Sequence, residues 1–254
     1  MPYWLKRHPF PVVAHFRDSL VLAYAFPQEL LVPLLPPGLT LDVHQGYGIV
    51  AIALVQTESL RPVFLPKFLG CDFFLSGYRI FTRFRTSAGR TLRGLRILRS
   101  DTDRRMMAFF GNRLTHYNYS LAAVDVRRSE SALEIHVETK NRAADLHVLA
   151  DLMHQPTAPP EGSPFKTLTE ARRFAGPLPW TFNYESATHS IIMIEGVREN
   201  WEPRPITVNV QRVTFFDQPP FKRTRPILAN AFYVQNISYR WERGRREPLP
   251  GEPQ

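Results

Sequence analysis

The chain has 254 residues, of which 44% are hydrophobic and 12% aromatic, so it has enough apolar surface for a folded core and is not a disordered protein. Its net charge of +9 favours encounters with anionic partners but does not define a function. The single cysteine, Cys71, excludes an intramolecular disulfide and a zinc site made of several thiolates. Residues 1–10 do not read as a signal peptide, and no apolar run reaches membrane-spanning length, so we expect a cytoplasmic protein without a membrane span.

The first half of the sequence predicts strands interrupted by short helices and tight turns. Pro27 is suited to the first turn of a short helix, and Gln45-Gly46 predicts a hairpin bend. Apolar residues recur at helical spacing from Asp101 or Thr102 to about Thr115, which predicts a second helix. The predicted strands of this half cover residues 12–26 (a strand pair or one bent strand), 47–56, 76–86 and 90–99.

The second half predicts mostly strands. Residues 144–153 resemble a weak helix, residues 155–164 form a proline-rich loop that we expect to be a mobile insertion, and residues 165–174 read as a helix. The charged segment 244–254 predicts a disordered tail. The predicted strands cover residues 117–126, 132–138, 180–185, 190–197, 206–216 and 228–241. We therefore expect one domain over residues 1–243, of the α+β class and mainly antiparallel β.

Two segments carry a resemblance to a known superfamily. Residues 25–42, AFPQELLVPLLPPGLTLD, resemble the opening signature of acetoacetate decarboxylase-like proteins, and in particular of their DUF2071 or YqjF-like branch. Residues 111–122, GNRLTHYNYSLA, resemble the decarboxylase segment that runs from a helix into two adjacent lysines. The resemblance extends to about Val126. It implies an acetoacetate decarboxylase-like cone or barrel sheet with an interior pocket and a few short flanking helices.

The decarboxylase reaction depends on a lysine with a lowered pKa that forms an imine with the substrate. Tyr119 and Ser120 occupy the two positions that match those lysines. The resemblance therefore implies a pocket for a small oxo or carboxylate molecule without imine chemistry, so that the protein is not a decarboxylase. It implies no cofactor, and it leaves open whether any reaction is catalysed.

Four residues are the candidate ligand-binding set by this resemblance: Arg17, His116, Tyr119 and Ser120. Arg17 matches a pocket arginine of the decarboxylases, and Tyr119 points inward if the lysine positions set the orientation of the strand. Each of the three larger side chains has a structural alternative. Tyr119 could fill the pocket, Arg17 could form a buried structural ion pair with Asp18 or another acid, and His116 could be a capping or structural residue.

Two other patterns offer alternatives. His147, Asp151 and His154 have the spacing of one helix face, but a fourth ligand is missing, so we predict a surface helix and no metal. A set of arginines predicts a basic hairpin, which suggests as the alternative function a non-catalytic protein that binds RNA or an anionic surface. No known nucleic-acid module accompanies it, so a nucleic-acid partner is the weaker prediction, and a homo-oligomer stays open. The hairpin arginines are Arg83, Arg85, Arg90, Arg93, Arg96, Arg99, Arg104 and Arg105.

Overall fold

The computed structural model describes residues 3–176 and 178–250. The strands of the described residues are β1 (Val12–Pro27), β2 (Leu39–Leu41), β3 (Val43–His44), β4 (Tyr47–Pro62), β5 (Cys71–Arg85), β6 (Thr91–Thr102), β7 (Tyr119–Arg128), β8 (Ala132–Thr139), β9 (Leu146–Asp151), β10 (Trp180–Glu185), β11 (Ser190–Arg198), β12 (Arg204–Pro205), β13 (Thr207–Val213), β14 (Ile227–Trp241) and β15 (Arg245–Pro248). The α-helices are α1 (Gln28–Leu31), α2 (Arg105–Leu114) and α3 (Leu168–Phe174). Short 3-10 helices cover Tyr3–Arg7, Val32–Leu34, Lys67–Leu69, Ser186–Thr188, Thr214–Asp217 and Phe221–Arg223.

Seven strands close into a ring in the order β5, β6, β10, β11, β14, β1 and β4. All neighbours in the ring are antiparallel except β6 and β10, which touch in parallel at only two residue pairs. One of these pairs contains Gly94, where a Cβ atom would lie 2.5 Å from the carbonyl oxygen of Trp180. A glycine is therefore required at this contact, because any larger residue would push β10 away from β6.

A second sheet extends from the ring through the parallel pair β6 and β7, and continues as β7, β8, β9 and β13. Its inner face carries Ile135 and Val148, which pack in one core with Leu20 and Leu22 of β1. The opposite face of β1 lines the inside of the ring, where the segment around α3 packs in a separate core. The long ring strands are thus apolar on both faces because each face lies against a core.

Helix α2 lies between β6 and β7 and packs against β7 and the 3-10 helix Tyr3–Arg7. Only Gly111 is buried in this helix, whereas Met106, Phe109 and Phe110 are each more than half exposed. No helix within residues 3–176 and 178–250 is long and apolar enough to cross a membrane.

The structure confirms most of the predicted elements. The strand pair or bent strand predicted over residues 12–26 is one continuous strand, β1. The predicted helices at residues 101–115 and 165–174 correspond to α2 and α3. The predicted hairpin bend between β3 and β4 is present, with positive φ angles of 49° at Gln45 and 83° at Gly46. These two angles are those of a tight turn whose twist matches the flanking strands.

Two predictions differ from the structure. Residues 144–153 contain a strand, β9, and not a helix, because Leu146, Val148 and Ala150 alternate into the core between neighbouring strands β8 and β13. Part of the predicted tail is ordered, since β15 pairs with β11 and Leu249 is 8% exposed. Residues 251–254 of that predicted tail lie outside the described residues.

Candidate functional site

A cavity of about 410 Å³ opens at one end of the ring, between the end of β4, the start of β5, the helix α2 and the N-terminal segment. Its volume is in the range of small-molecule sites, which is about 300–1,000 Å³. Most of its wall is apolar, with Leu60, Phe73, Leu75 and Met107 among the lining residues. Tyr117 and Tyr119 also line it. The cavity therefore suits a ligand with an apolar body.

Tyr119 is held in place by its neighbours in α2. The side-chain amide of Asn112 donates to the Tyr119 carbonyl oxygen at 2.9 Å, and its oxygen accepts from the Tyr119 N–H at 2.7 Å. The chain enters this position through Asn118, whose φ angle is +52°, a left-handed conformation that asparagine tolerates. A Cβ atom on Gly111 would lie 2.5 Å from the Tyr119 ring, so the missing side chain lets the ring pack against the helix.

Arg79 of β5 lies next to these tyrosines. It shares the inner face of β5 with Leu75 and Phe81, since alternate residues of a strand face the same way. Its guanidinium folds back over Gly77, where a Cβ atom would be 3.1 Å from the Arg79 Nε. The missing side chain at Gly77 thus lets the Arg79 guanidinium lie along β5 on the side of Leu75, which lines the cavity, although Arg79 itself is not a lining residue.

No acidic side chain pairs with the Arg79 guanidinium within the described part of the chain, and its Nε has no hydrogen-bond partner there. The Arg79 Nε is buried, while part of the side chain stays accessible. Burial lowers the pKa of Arg79, but an arginine remains charged at neutral pH. A buried cation without a partner is unfavourable, so this position favours an anionic ligand.

The polar groups around Arg79 are hydrogen-bond donors. Burial raises the pKa of Tyr117 and of Tyr119 well above their ordinary value, so both hydroxyls keep their protons at neutral pH. The Tyr117 hydroxyl has Thr181 as a hydrogen-bond partner, whereas the Thr57 hydroxyl is buried without a partner among the described residues. Tyr117, Tyr119 and Thr57 all line the cavity, and the two tyrosines lie near Arg79. Tyrosine hydroxyls beside an unpaired cation form a suitable site for a carboxylate or carbonyl oxygen.

A second cation adds to the positive potential. The charge of Arg198 acts on Arg79 and lowers its pKa further. Arg198 donates to the Leu178 carbonyl oxygen at 3.0 Å, and its guanidinium lies 4.8 Å from the centre of the Trp201 ring and 5.2 Å from that of Tyr239. It is thus held by a carbonyl and two aromatic rings rather than by a carboxylate.

Two other side chains of the cavity wall could in principle do chemistry. Burial raises the pKa of the Cys71 thiol, which keeps it protonated and a poor nucleophile. Burial lowers the pKa of His8 to about 4, so its imidazole is neutral at physiological pH. All five lysines of the chain are exposed: Lys6, Lys67, Lys140, Lys166 and Lys222.

The structure brings only one of the four sequence-predicted site residues next to Arg79, namely Tyr119. Arg17 pairs with Asp18 at 3.1 Å and Glu58 at 3.5 Å, but its side chain is 52% exposed, so the pair is not the buried one of the structural alternative. Asp18 is buried and also accepts hydrogen bonds from Arg128 and Tyr233. The role of Arg17 in ligand binding stays a prediction.

His116 and Ser120 lie beside Tyr119 in the chain, but their surroundings differ. Burial lowers the pKa of His116, while the charge of Glu185 acts in the opposite direction. Glu185 is buried and forms an ion pair with Arg7. Ser120 lies opposite Asp101 of β6 and is half-buried. The roles of His116 and Ser120 in ligand binding likewise stay predictions.

Sequence reasoning missed Arg79. The available signal was a single charge within the otherwise uncharged stretch Phe73–Thr82, close to Gly77. The arginines that follow it in the sequence, from Arg83 onwards, predicted a solvated hairpin and not a buried cation. In the structure several of those arginines have partners: Arg83 and Arg93 each lie 2.6 Å from the buried Asp42.

A separate group of side chains could hold a metal ion on the outer face of the second sheet. The Nε2 atoms of His136 and His147 lie 3.1 and 2.9 Å from one oxygen of Glu134. Hydrogen bonds from the two histidines lower the pKa of Glu134. His147 was one of three residues that the sequence placed on a helix face, whereas Asp151 and His154 pair with each other instead, at 3.0 Å.

The fold is that of acetoacetate decarboxylase-like proteins. The acetoacetate decarboxylase of Legionella pneumophila subsp. pneumophila str. Philadelphia 1 superposes with a TM-score of 0.63 at 12% identity, over 94% of this chain and 87% of that chain. The enduracididine biosynthesis enzyme MppR complexed with pyruvate gives 0.62 at 13% identity, over 94% and 90%. An acetoacetate decarboxylase-like enzyme from Sphingomonas wittichii RW1 gives 0.58 at 12% identity, over 92% of each chain.

The family is defined by sequence. The model of the DUF2071 family, described as an uncharacterized conserved protein, matches residues 13–236, and the chain belongs to this family. A search of curated protein sequences found no match to this chain.

Proposed function

We propose that the protein binds a small carboxylate or oxo-carboxylate molecule in the cavity, with Arg79 as the counter-ion and Tyr119 as a hydrogen-bond donor. The observation that carries the proposal is the buried guanidinium of Arg79, which has no acidic partner among the described residues. An anionic ligand would supply the missing partner, and the Tyr119 hydroxyl beside Arg79 would donate a hydrogen bond to it. The similarity to MppR, whose structure contains pyruvate, agrees with a ligand of this class.

The proposed function does not include imine chemistry. Such chemistry requires an uncharged lysine in the pocket, and the five lysines of this chain are exposed. The thiol of Cys71 is protonated, which argues against nucleophilic catalysis as well. Binding is therefore the function we propose, in the cytoplasm.

Thermal unfolding in the presence of acids and their amides tests the proposal. Pyruvate, hexanoate and benzoate are compared with pyruvamide, hexanamide and benzamide, which have the same body without the charge. At a concentration about 100 times its dissociation constant, a bound acid raises stability by about 2.7 kcal/mol, or roughly 5–10 °C in melting temperature. We expect at least one acid to act in this way and its amide not to.

Two variants locate the site. Arg79→Met should abolish the shift, and Tyr119→Phe should reduce it because one donor is lost. Arg17→Met is the matched control, since it removes an arginine that lies outside the cavity and pairs with Asp18. A shift that survives Arg79→Met but disappears in Arg17→Met would transfer the binding role to Arg17. A shift by none of the acids would refute the proposal.

No specific observation favours the alternative function, in which the basic hairpin binds RNA or an anionic surface. Arg83 and Arg93 are engaged with Asp42, and Arg99 lies 2.8 Å from Asp101. These pairs reduce the positive charge that is available to a polyanion.

A further inference from the structure

Three neighbouring segments lie around the mouth of the cavity, and together they form what we call the mouth surface: Tyr3–Arg7, residues 62–70 and α2. Residues 62–70 and α2 contribute lining residues, and Tyr3–Arg7 packs against α2. The centre of the Phe64 ring lies 5.6 Å from that of Phe10, which also lines the cavity. Eight of the thirteen exposed large apolar side chains of the described residues belong to this surface. They are Trp4, Val63, Phe64, Phe68, Leu69, Met106, Phe109 and Phe110. Such clustering of exposed apolar side chains marks an interaction surface.

The charge of the mouth surface has one sign. Its three segments contain five basic residues, Lys6, Arg7, Lys67, Arg105 and Arg113, and no acidic residue, but Arg7 is neutralised by its ion pair with the buried Glu185. The side chains of Lys6, Lys67 and Arg105 are exposed. The Arg113 guanidinium lies 3.5 Å from the centre of the Phe109 ring, so a cation accompanies an exposed aromatic ring.

The mouth surface continues into the cavity. Leu69, Met106 and Phe110 are each more than half exposed, and the same three side chains line the cavity. From there the apolar wall leads to Tyr119. An apolar chain could thus pass from outside to the tyrosines without leaving apolar surroundings.

We propose that the mouth surface docks on an anionic lipid bilayer, and that the cavity takes up from it an amphiphile with a carboxylate head and an apolar chain. This inference rests on the proposed function, since the carboxylate would pair with Arg79 while the chain extends towards the mouth. Aromatic and leucine side chains beside lysine and arginine are the composition that binds bilayer interfaces. A second copy of the chain is a poorer occupant, because the basic residues of two mouth surfaces would repel one another.

Vesicle flotation tests the docking. The protein is mixed with vesicles of phosphatidylcholine alone, or of phosphatidylcholine with phosphatidylglycerol. We expect binding to the anionic vesicles to be at least about tenfold stronger and to weaken as salt is raised, because salt screens the basic residues. The double variant Phe64→Ser/Phe68→Ser should lower this binding about tenfold or more. Met153→Ser is the matched control, since Met153 is 65% exposed but lies outside the mouth surface.

The charge variant Lys67→Glu/Arg105→Glu should lose the preference for anionic vesicles. Equal binding to both vesicle types, or binding that the phenylalanine variants leave unchanged, would overturn the docking. A dimer in size-exclusion chromatography that dissociates in Phe64→Ser/Phe68→Ser would also overturn it and assign the surface to a second copy. All variants are first compared by circular dichroism and melting temperature, so that a loss of folding is not scored as a loss of docking.

The ligand is tested without vesicles, which separates the two proposals. Decanoate should stabilise the protein at concentrations at least about tenfold lower than acetate, because its chain adds apolar contacts along the cavity. If decanoate stabilises the protein through Arg79 but vesicles do not bind, the docking is refuted and the proposed function stands. If vesicles bind but no carboxylate does, the proposed function is refuted together with the uptake of an amphiphile. If acetate and decanoate stabilise the protein at equal concentrations, the proposal that the cavity takes up an apolar chain is refuted.

Discussion

Replacement of Arg79 by methionine should stabilise the unliganded protein. The substitution removes a buried cation without an acidic partner among the described residues and keeps an unbranched apolar side chain of similar reach. Hydrophobic replacement of buried charges can raise stability by about 1–4 kcal/mol. The accessible part of the Arg79 side chain reduces the penalty in this protein, so we expect about 1–3 kcal/mol, or roughly 2–12 °C in melting temperature.

The control is Arg99→Met on the adjacent strand. Arg99 forms an ion pair at 2.8 Å with Asp101, whose side chain is completely buried, so its removal leaves an unpaired carboxylate inside the protein. Breaking such a pair costs about 3–5 kcal/mol. Urea unfolding of both variants and the wild type, without ligand, should therefore give changes of opposite sign. If Arg79→Met lowers the free energy of unfolding by as much as Arg99→Met does, Arg79 is a structural residue and the ligand argument fails.

Three further predictions concern the same cavity. Gly111→Ala would place a Cβ atom 2.5 Å from the Tyr119 ring, and we expect a loss of about 1–3 kcal/mol in urea unfolding; an unchanged midpoint would contradict the close packing. Burial lowers the pKa of His8 to about 4, below the value near 6.5 of the unfolded chain, so its contribution is complete above pH 6.5 and is lost as the pH falls towards 4. The difference in melting temperature between wild type and His8→Gln should therefore shrink as the pH falls from 6.5 to 4. A difference that stays constant with pH would contradict the lowered pKa of His8. Borohydride with pyruvate or acetoacetate should leave the mass of the protein unchanged, whereas a reduced adduct would reveal an imine.

Much of the fold could be predicted from the sequence because its signals are local. The turn at Gln45-Gly46 and the apolar spacing of α2 are both present in the structure. The prediction of a helix at residues 144–153 failed because alanine, leucine and methionine favour helices, whereas the strand is imposed by pairing with β8 and with β13, which lies more than 50 residues away. The order of β15 could not be predicted either, since its pairing partner β11 is more than 45 residues away.

The site was harder to predict than the fold. The inward direction of Tyr119 followed from the strand alternation and from the resemblance to the decarboxylases. Arg79 could not be identified from sequence spacing, because its distinguishing property is the absence of a nearby acid, which only the three-dimensional arrangement reveals. Arg17 shows the reverse: its position in the motif suggested the pocket, while the neighbouring Asp18 and Glu58 hold it outside.

The pair of hydrogen bonds between Asn112 and the backbone of Tyr119 couples two parts of the protein mechanically. Helix α2 carries Phe109 and Phe110 at the outside and, through Asn112, the first residue of β7 at the inside. A movement of the helix would therefore shift the tyrosine ring as well. A contact made by Phe109 and Phe110 at the surface would therefore also change the shape of the cavity around Tyr119.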